Sequence, residues 1–131
     1  MRYFTLDEAE RLIPELEKIF KSVLEIKAKA EKRYLKLQRM EAGPARVQDL
    51  ALEKAQLEFL VGGMNEWLAK VEELGCLPKG LDPCLVDFPY RLGGREVYLC
   101  WKLGEERIAY YHGLEEGFTG RAPLPAPDPK S

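Results

Sequence analysis

The side chains able to do chemistry collect between Leu81 and Gly120. This stretch, LDPCLVDFPYRLGGREVYLCWKLGEERIAYYHGLEEGFTG, holds the sole histidine, two of the three cysteines and six of the eleven glycines. His112 could serve as an acid/base or a metal ligand, helped by Asp87 or Glu105. It could equally be a partly buried histidine bonded to a carboxylate or a backbone carbonyl. Asp87 falls mid-strand, where Asp is disfavoured, so it either pairs diagonally with Lys102 or serves a site. Glu105 and Glu106 sit in a turn, where acidic residues are ordinary. Arg121 follows Gly117, Phe118 and Gly120. It could present a guanidinium to a carboxylate or phosphate, or bind Glu115 or Glu116 and pin the return loop. Asp87, Glu105, His112 and Arg121 form the candidate ligand-binding cluster.

No catalytic motif accompanies them. The chain has no phosphate-binding glycine loop followed by Lys and Ser/Thr, no HExxH and no GxSxG. Ser22 and Ser131 are remote from His112 in sequence. Cys76, Cys84 and Cys100 cannot all pair within one chain and show no CxxC spacing,. They read as small buried thiols, and neither a metal nor a cofactor is expected.

The 131 residues carry a net charge of −2, so composition offers no general pull toward nucleic acid,. No apolar run approaches the roughly 18 to 20 residues of a membrane span. The amino terminus turns acidic early and lacks an apolar signal core, so a cytoplasmic protein is expected. Asn occurs once, Ser and Thr twice each, while Glu, Lys and Arg abound. That trade of uncharged polar residues for ion pairs is common in heat-adapted proteins.

The elements that position the cluster are legible from periodicity. Thr5 to Glu8 forms a capping box. Ala9, Ile13, Leu16, Phe20, Val23, Ala30, Tyr34 and Leu37 then mark an amphipathic helix over residues 5–41. Pro14 predicts a kink, or a short helix and restart, near Leu12 and Ile13. Acidic residues lead this helix and Lys32, Arg33, Lys36 and Arg39 end it, which complements the helix dipole. Gly43-Pro44 breaks it, and a second helix occupies 45–75, antiparallel to the first. Gly62-Gly63 inside that helix implies close approach of another backbone, from another helix or a second subunit.

After Pro78-Lys79-Gly80 the apolar period changes to two, which marks strands. A two-residue turn at Gly93-Gly94 pairs Arg91 with Glu96, Tyr90 with Val97, Phe88 with Leu99 and Val86 with Trp101. A second turn near Gly104-Glu105 sets Trp101 beside Ile108, Leu99 beside Tyr110 and Val97 beside His112. One face then carries Val86, Phe88, Val97, Leu99, Trp101, Ile108, Tyr110 and His112 toward the helices. The other carries Asp87, Tyr98, Cys100, Lys102 and Tyr111, with Tyr98 and Tyr111 a packed cross-strand pair. Residues 122–131 read as a proline-rich extended tail.

The segments FTLDEAERLIPEL, LVDFP, LCWKLGE, IAYYH and GFTGR resemble an uncharacterised prokaryotic family catalogued as domain of unknown function 2203. The resemblance runs from Phe4 to about Pro123. It implies a small cytoplasmic protein without an assigned activity and offers no catalytic residue to carry over.

The expected fold is α+β: a long antiparallel helical hairpin, its first helix kinked near Pro14, capped by a three-stranded antiparallel β-meander over 84–112. Residues 1–121 would form a single domain. The first functional expectation is a module that self-associates through the hairpin's apolar stripe. The alternative is a small-ligand- or metal-binding protein, enzyme or not, with Asp87, Glu105, His112 and Arg121 converging in one pocket of the cap. Nucleic-acid binding by the basic helix end ranks below both.

Overall fold

The computed structural model describes residues 2–125. They fall into two compact units. The first joins the residues up to Glu17 with those from Val71 onward, and the second spans Lys18–Lys70.

The helices begin as their sequence predicts. Helix α1 (Leu6–Arg11) is opened by the Thr5 capping box, with Glu8 closing it reciprocally,. It stops at Leu12, and α2 (Ile13–Glu41) restarts with Pro14 in its first turn, where a missing N–H costs nothing,. Helix α3 (Val47–Glu73) follows. In the hairpin unit a Cβ on Gly63 would lie 3.6 Å from Ile26 Cδ1, and Glu53 meets Arg33 and Lys36. Both contacts pair an early residue of one helix with a late residue of the other, as antiparallel neighbours must. Among the described residues no other helix brings its backbone against Gly62-Gly63, which corrects that half of the expectation. Gly63 faces a side chain at ordinary distance, and Gly62 faces open space. No helix among the described residues is long and apolar enough to cross a membrane.

The cap is a five-stranded antiparallel sheet in the order β1-β2-β3-β4-β5, two strands more than expected. Its strands are β1 (Leu77–Leu81), β2 (Cys84–Leu92), β3 (Arg95–Lys102), β4 (Tyr110–His112) and β5 (Ala122–Pro123). The two extra strands lie at the edges. There a proline costs no interior ladder bond, so Pro78 and Pro123 are tolerated. A bulge between Pro78 and Gly80 shifts the β1 register,. Residues 122–123, expected in an extended tail, instead pair with β4, and the Leu124 amide donates to the Ala109 carbonyl. The rest of that tail, 126–131, lies outside the described residues.

Strands β2 and β3 pair in the predicted register. Arg91 opposes Glu96, Tyr90 Val97, Phe88 Leu99 and Val86 Trp101. Gly93 and Gly94 both hold positive φ in the turn, the backbone a two-residue hairpin needs,. Val86, Phe88, Val97, Leu99 and Trp101 are all fully buried on one face. Phe4 packs edge-on against Phe88, with ring centroids 5.2 Å apart.

The β3–β4 register departs from expectation by one residue. Tyr98 opposes His112, Leu99 opposes Tyr111 and Cys100 opposes Tyr110. The expected turn closes at Gly104, with the Glu105 amide donating to the Lys102 carbonyl, but the chain does not re-enter the ladder directly after it. Trp101 Nε1 donates to the Glu105 carbonyl, and the Lys102 amide donates to the Glu105 carboxylate. The Ile108 amide leaves the ladder for Glu10 of α1. The strand therefore resumes late, and every side chain of β4 changes face. His112 and Tyr110 leave the Val97 face for that of Asp87, Tyr98 and Cys100. Tyr111 joins Leu99, so the partner of Tyr98 is His112.

Candidate functional site

The outer face of the sheet gathers the polar residues into a pocket. Asp87 on β2 and Cys100 on β3 are direct cross-strand partners. His112 enters from β4 one pair along, against Tyr98. Exposures of 3%, 1% and 3% for Asp87, Cys100 and His112 show that all three are desolvated. The chain from Gly113 to Arg121 folds back over them. Its loop is held by the Gly113 amide donating to Glu116 Oε1 at 3.1 Å. Lys79, Tyr98, Leu114, Glu116 and Phe118 complete a cavity of about 210 Å³. That is below the ~300–1,000 Å³ of pockets for drug-sized ligands. It suits a small ligand, an ion included.

The hydrogen bonds of His112 constrain its protons. Nδ1 lies 2.8 Å from the Gly113 carbonyl oxygen, which can only accept, so Nδ1 carries the hydrogen,. Nε2 lies 3.0 Å from Asp87 Oδ1. One proton must therefore lie between the two side chains, on the imidazole or on the carboxyl. Either way the pair is neutral overall. Burial pushes the Asp87 carboxyl up, and the His112 bond and the Lys79 charge offset only part of this,. Burial likewise raises the Cys100 thiol, the Asp87 charge adds to the rise, and Arg121 opposes it.

Glu105 and Arg121 form the second half of the cluster. Arg121 donates to both Glu105 oxygens, at 3.1 and 2.8 Å, in the bidentate geometry of a strong pair,. Its guanidinium carbon sits 4.1 Å from the Tyr110 ring centroid and 4.6 Å from that of Phe118,. Glu115 and Glu116 are therefore not its partners; Glu105 is. Arg121 Nη1 reaches Cys100 Sγ at 4.0 Å, which links the two pairs into one array.

Of the four candidate residues, Asp87 and His112 line the cavity, whereas Glu105 and Arg121 form a pair that does not line it and that reaches the first pair through Cys100, read from the sequence only as a small buried thiol. The signal for Cys100 was present, since the β2–β3 register puts it directly opposite Asp87. Lys79 and Glu116 gave no comparable signal. Lys79 lies in a Pro-Lys-Gly segment that reads as a turn, and Glu116 is one of several acidic residues in a loop.

A comparison with protein families matches residues 2–124 to a model described as an uncharacterized conserved protein (DUF2203). No curated protein and no solved structure matches the chain.

Proposed function

This chain belongs to the DUF2203 family of uncharacterized conserved proteins, and from its site rather than that description we propose a binding protein whose ligand occupies the outer-face pocket of the cap. One observation carries the reading: a buried, proton-sharing Asp87–His112 pair borders a cavity on this face of the sheet. A fold that needed only a packed core would fill that space with apolar side chains at lower cost. The cavity volume of about 210 Å³ suits a small ligand, an ion included,. The test is an NMR screen of small polar fragments against isotopically labelled protein. Shifts centred on the Tyr98, His112, Gly113 and Gly117 amides, lost in His112→Ala, are expected. Shifts confined to other surfaces would remove the pocket from consideration.

The hairpin supports a second role, association between copies. Tyr34, Leu35, Val47, Leu52, Phe59 and Val61 are exposed large apolar residues, and all lie on its helices. Along α3, Leu52, Ala55, Phe59 and Gly62 recur at spacings of three and four on exposed positions, the seam a partner helix would cover,. Light scattering should give the mass of a dimer or larger, reduced to a monomer by Phe59→Lys. A monomeric wild type at high concentration would refute this role.

A further inference from the structure

Three donors of different chemistry meet at the pocket. Asp87 offers a carboxylate oxygen, Cys100 a sulfur and His112 a ring nitrogen, and the three atoms lie within 4.8 Å of one another. We propose that they form a centre for a divalent transition-metal ion of the zinc class, with its fourth position open to the pocket. The inference rests on reading the pocket as a binding site, and it names what the site takes.

The donor set selects the ion. Calcium and magnesium take all-oxygen shells, which one carboxylate cannot supply. A thiolate with an imidazole and a carboxylate suits zinc or cobalt. Closed structural zinc sites use four protein ligands, whereas sites that bind a further ligand use three and leave a place. The cluster here has three, and the cavity lies against them.

Geometry agrees. Bonds of about 2.0–2.3 Å set tetrahedral donors roughly 3.3–3.8 Å apart. His112 Nε2 and Asp87 Oδ1, now 3.0 Å apart, would open slightly as the ion replaces the hydrogen between them. The sulfur, within 4.8 Å of the other two donors, would close in by up to roughly 1.2 Å,. The donors sit on adjacent strands of one sheet, which holds them more rigidly than loops would.

The surroundings are also those of a metal-binding histidine. Such a ring usually gives its second N–H to a carbonyl or carboxylate, which fixes the tautomer and turns the free nitrogen to the ion. His112 Nδ1 does this with the Gly113 carbonyl at 2.8 Å. Arg121, anchored by Glu105, lies 4.0 Å from the sulfur and favours its thiolate form,. Lys79 lines the same cavity, so the open position admits water or a small anion.

The experiment is a titration of metal-free full-length protein with Co²⁺, followed by displacement with Zn²⁺. One equivalent should bind, with a sulfur-to-cobalt charge-transfer band and the visible absorption of tetrahedral cobalt. Cys100→Ser should abolish the charge-transfer band, and His112→Ala should weaken binding at least tenfold. Cys84→Ser, at a thiol directed to the Leu81 carbonyl, should leave the spectrum unchanged. Since Cys100→Ser is nearly isosteric, circular dichroism should report an unchanged fold. No cobalt spectrum in the wild type, or a charge-transfer band that survives Cys100→Ser, overturns the metal centre. If polar fragments still shift the pocket amides in that case, the pocket reading stands without the metal; if they do not, both fall.

Discussion

Glu53 in the hairpin and Asp87 in the cap are both nearly removed from water, at 6% and 3% exposure, but their surroundings differ in kind. Glu53 accepts from Lys36 at 2.8 Å and from Arg33 at 3.2 Å through both oxygens. Both cations keep much of their side chains in solvent, so they neutralise the carboxylate without being desolvated themselves. The Lys36 bond, then that of Arg33, holds Glu53 below the usual carboxylate range against the opposing effect of burial. Asp87 has one hydrogen-bond partner among the described residues, and that partner is as buried as Asp87 itself. The hairpin uses its buried carboxylate as a clasp between helices. The cap keeps one whose burial is poorly compensated, as binding sites often do and packing alone does not require.

Apolar residues divide the same way. Phe88 is fully buried under Phe4, while Phe59 on α3 is 81% exposed. Phe88→Ala should therefore lower unfolding free energy by about 3–5 kcal/mol. Phe59→Ala in dilute protein should change it by no more than about 0.5 kcal/mol. Urea denaturation of both variants checks the contrast. A large loss for Phe59→Ala that grows with protein concentration would sharpen it instead, because a second copy would then be covering the ring.

The same contrast explains what was legible in the sequence. The helices, the restart at Pro14 and the β2–β3 hairpin follow from local rules: a capping box, a proline, a pair of glycines able to hold positive φ. The Glu53 clasp and the outer-face position of His112 do not. The β4 register depends on Glu10 capturing the Ile108 amide, a contact 98 residues apart in sequence. Trp101 and Lys102 engage Glu105 in the connection before β4. The turn at Gly104 forms as its glycine predicts, but the strand after it rejoins the ladder one residue later than a continuous hairpin would, which sufficed to put His112 on the other face. The edge strands were hidden by Pro78 and Pro123, whose turn-like chemistry is harmless only at an edge. Asp87, Glu105, His112 and Arg121 could still be named, because charged or titratable residues in an apolar β-rich segment stand out without any register. Their pairing could not, since it depends on which face each side chain takes.

The finest test of the two carboxylates is the sign of their pH dependence, compared in Glu53→Gln and Asp87→Asn. At neutral pH Glu53→Gln should destabilise, because Lys36 and Arg33 lose their shared charge. Asp87→Asn should cost less than about 1 kcal/mol, because its amide can donate to His112 Nε2 and no carboxylate remains to desolvate. The folded pKa of Glu53 is lowered, so the unfolded chain binds more protons between that value and the ordinary one,. Its contribution is present above the ordinary carboxylate value and is lost as pH falls through the lowered one. The folded pKa of Asp87 is raised, so the folded chain binds more protons in the window above the ordinary value,. Its contribution is largest in acid and fades as pH rises through the raised value,. Subtracting each variant's stability curve from that of the wild type should give slopes of opposite sign, positive for Glu53 and negative for Asp87. Two positive slopes would mean that the protein compensates Asp87 as fully as Glu53. The cap pair would then be a second clasp, and the distinction between the two regions would rest on the pocket alone.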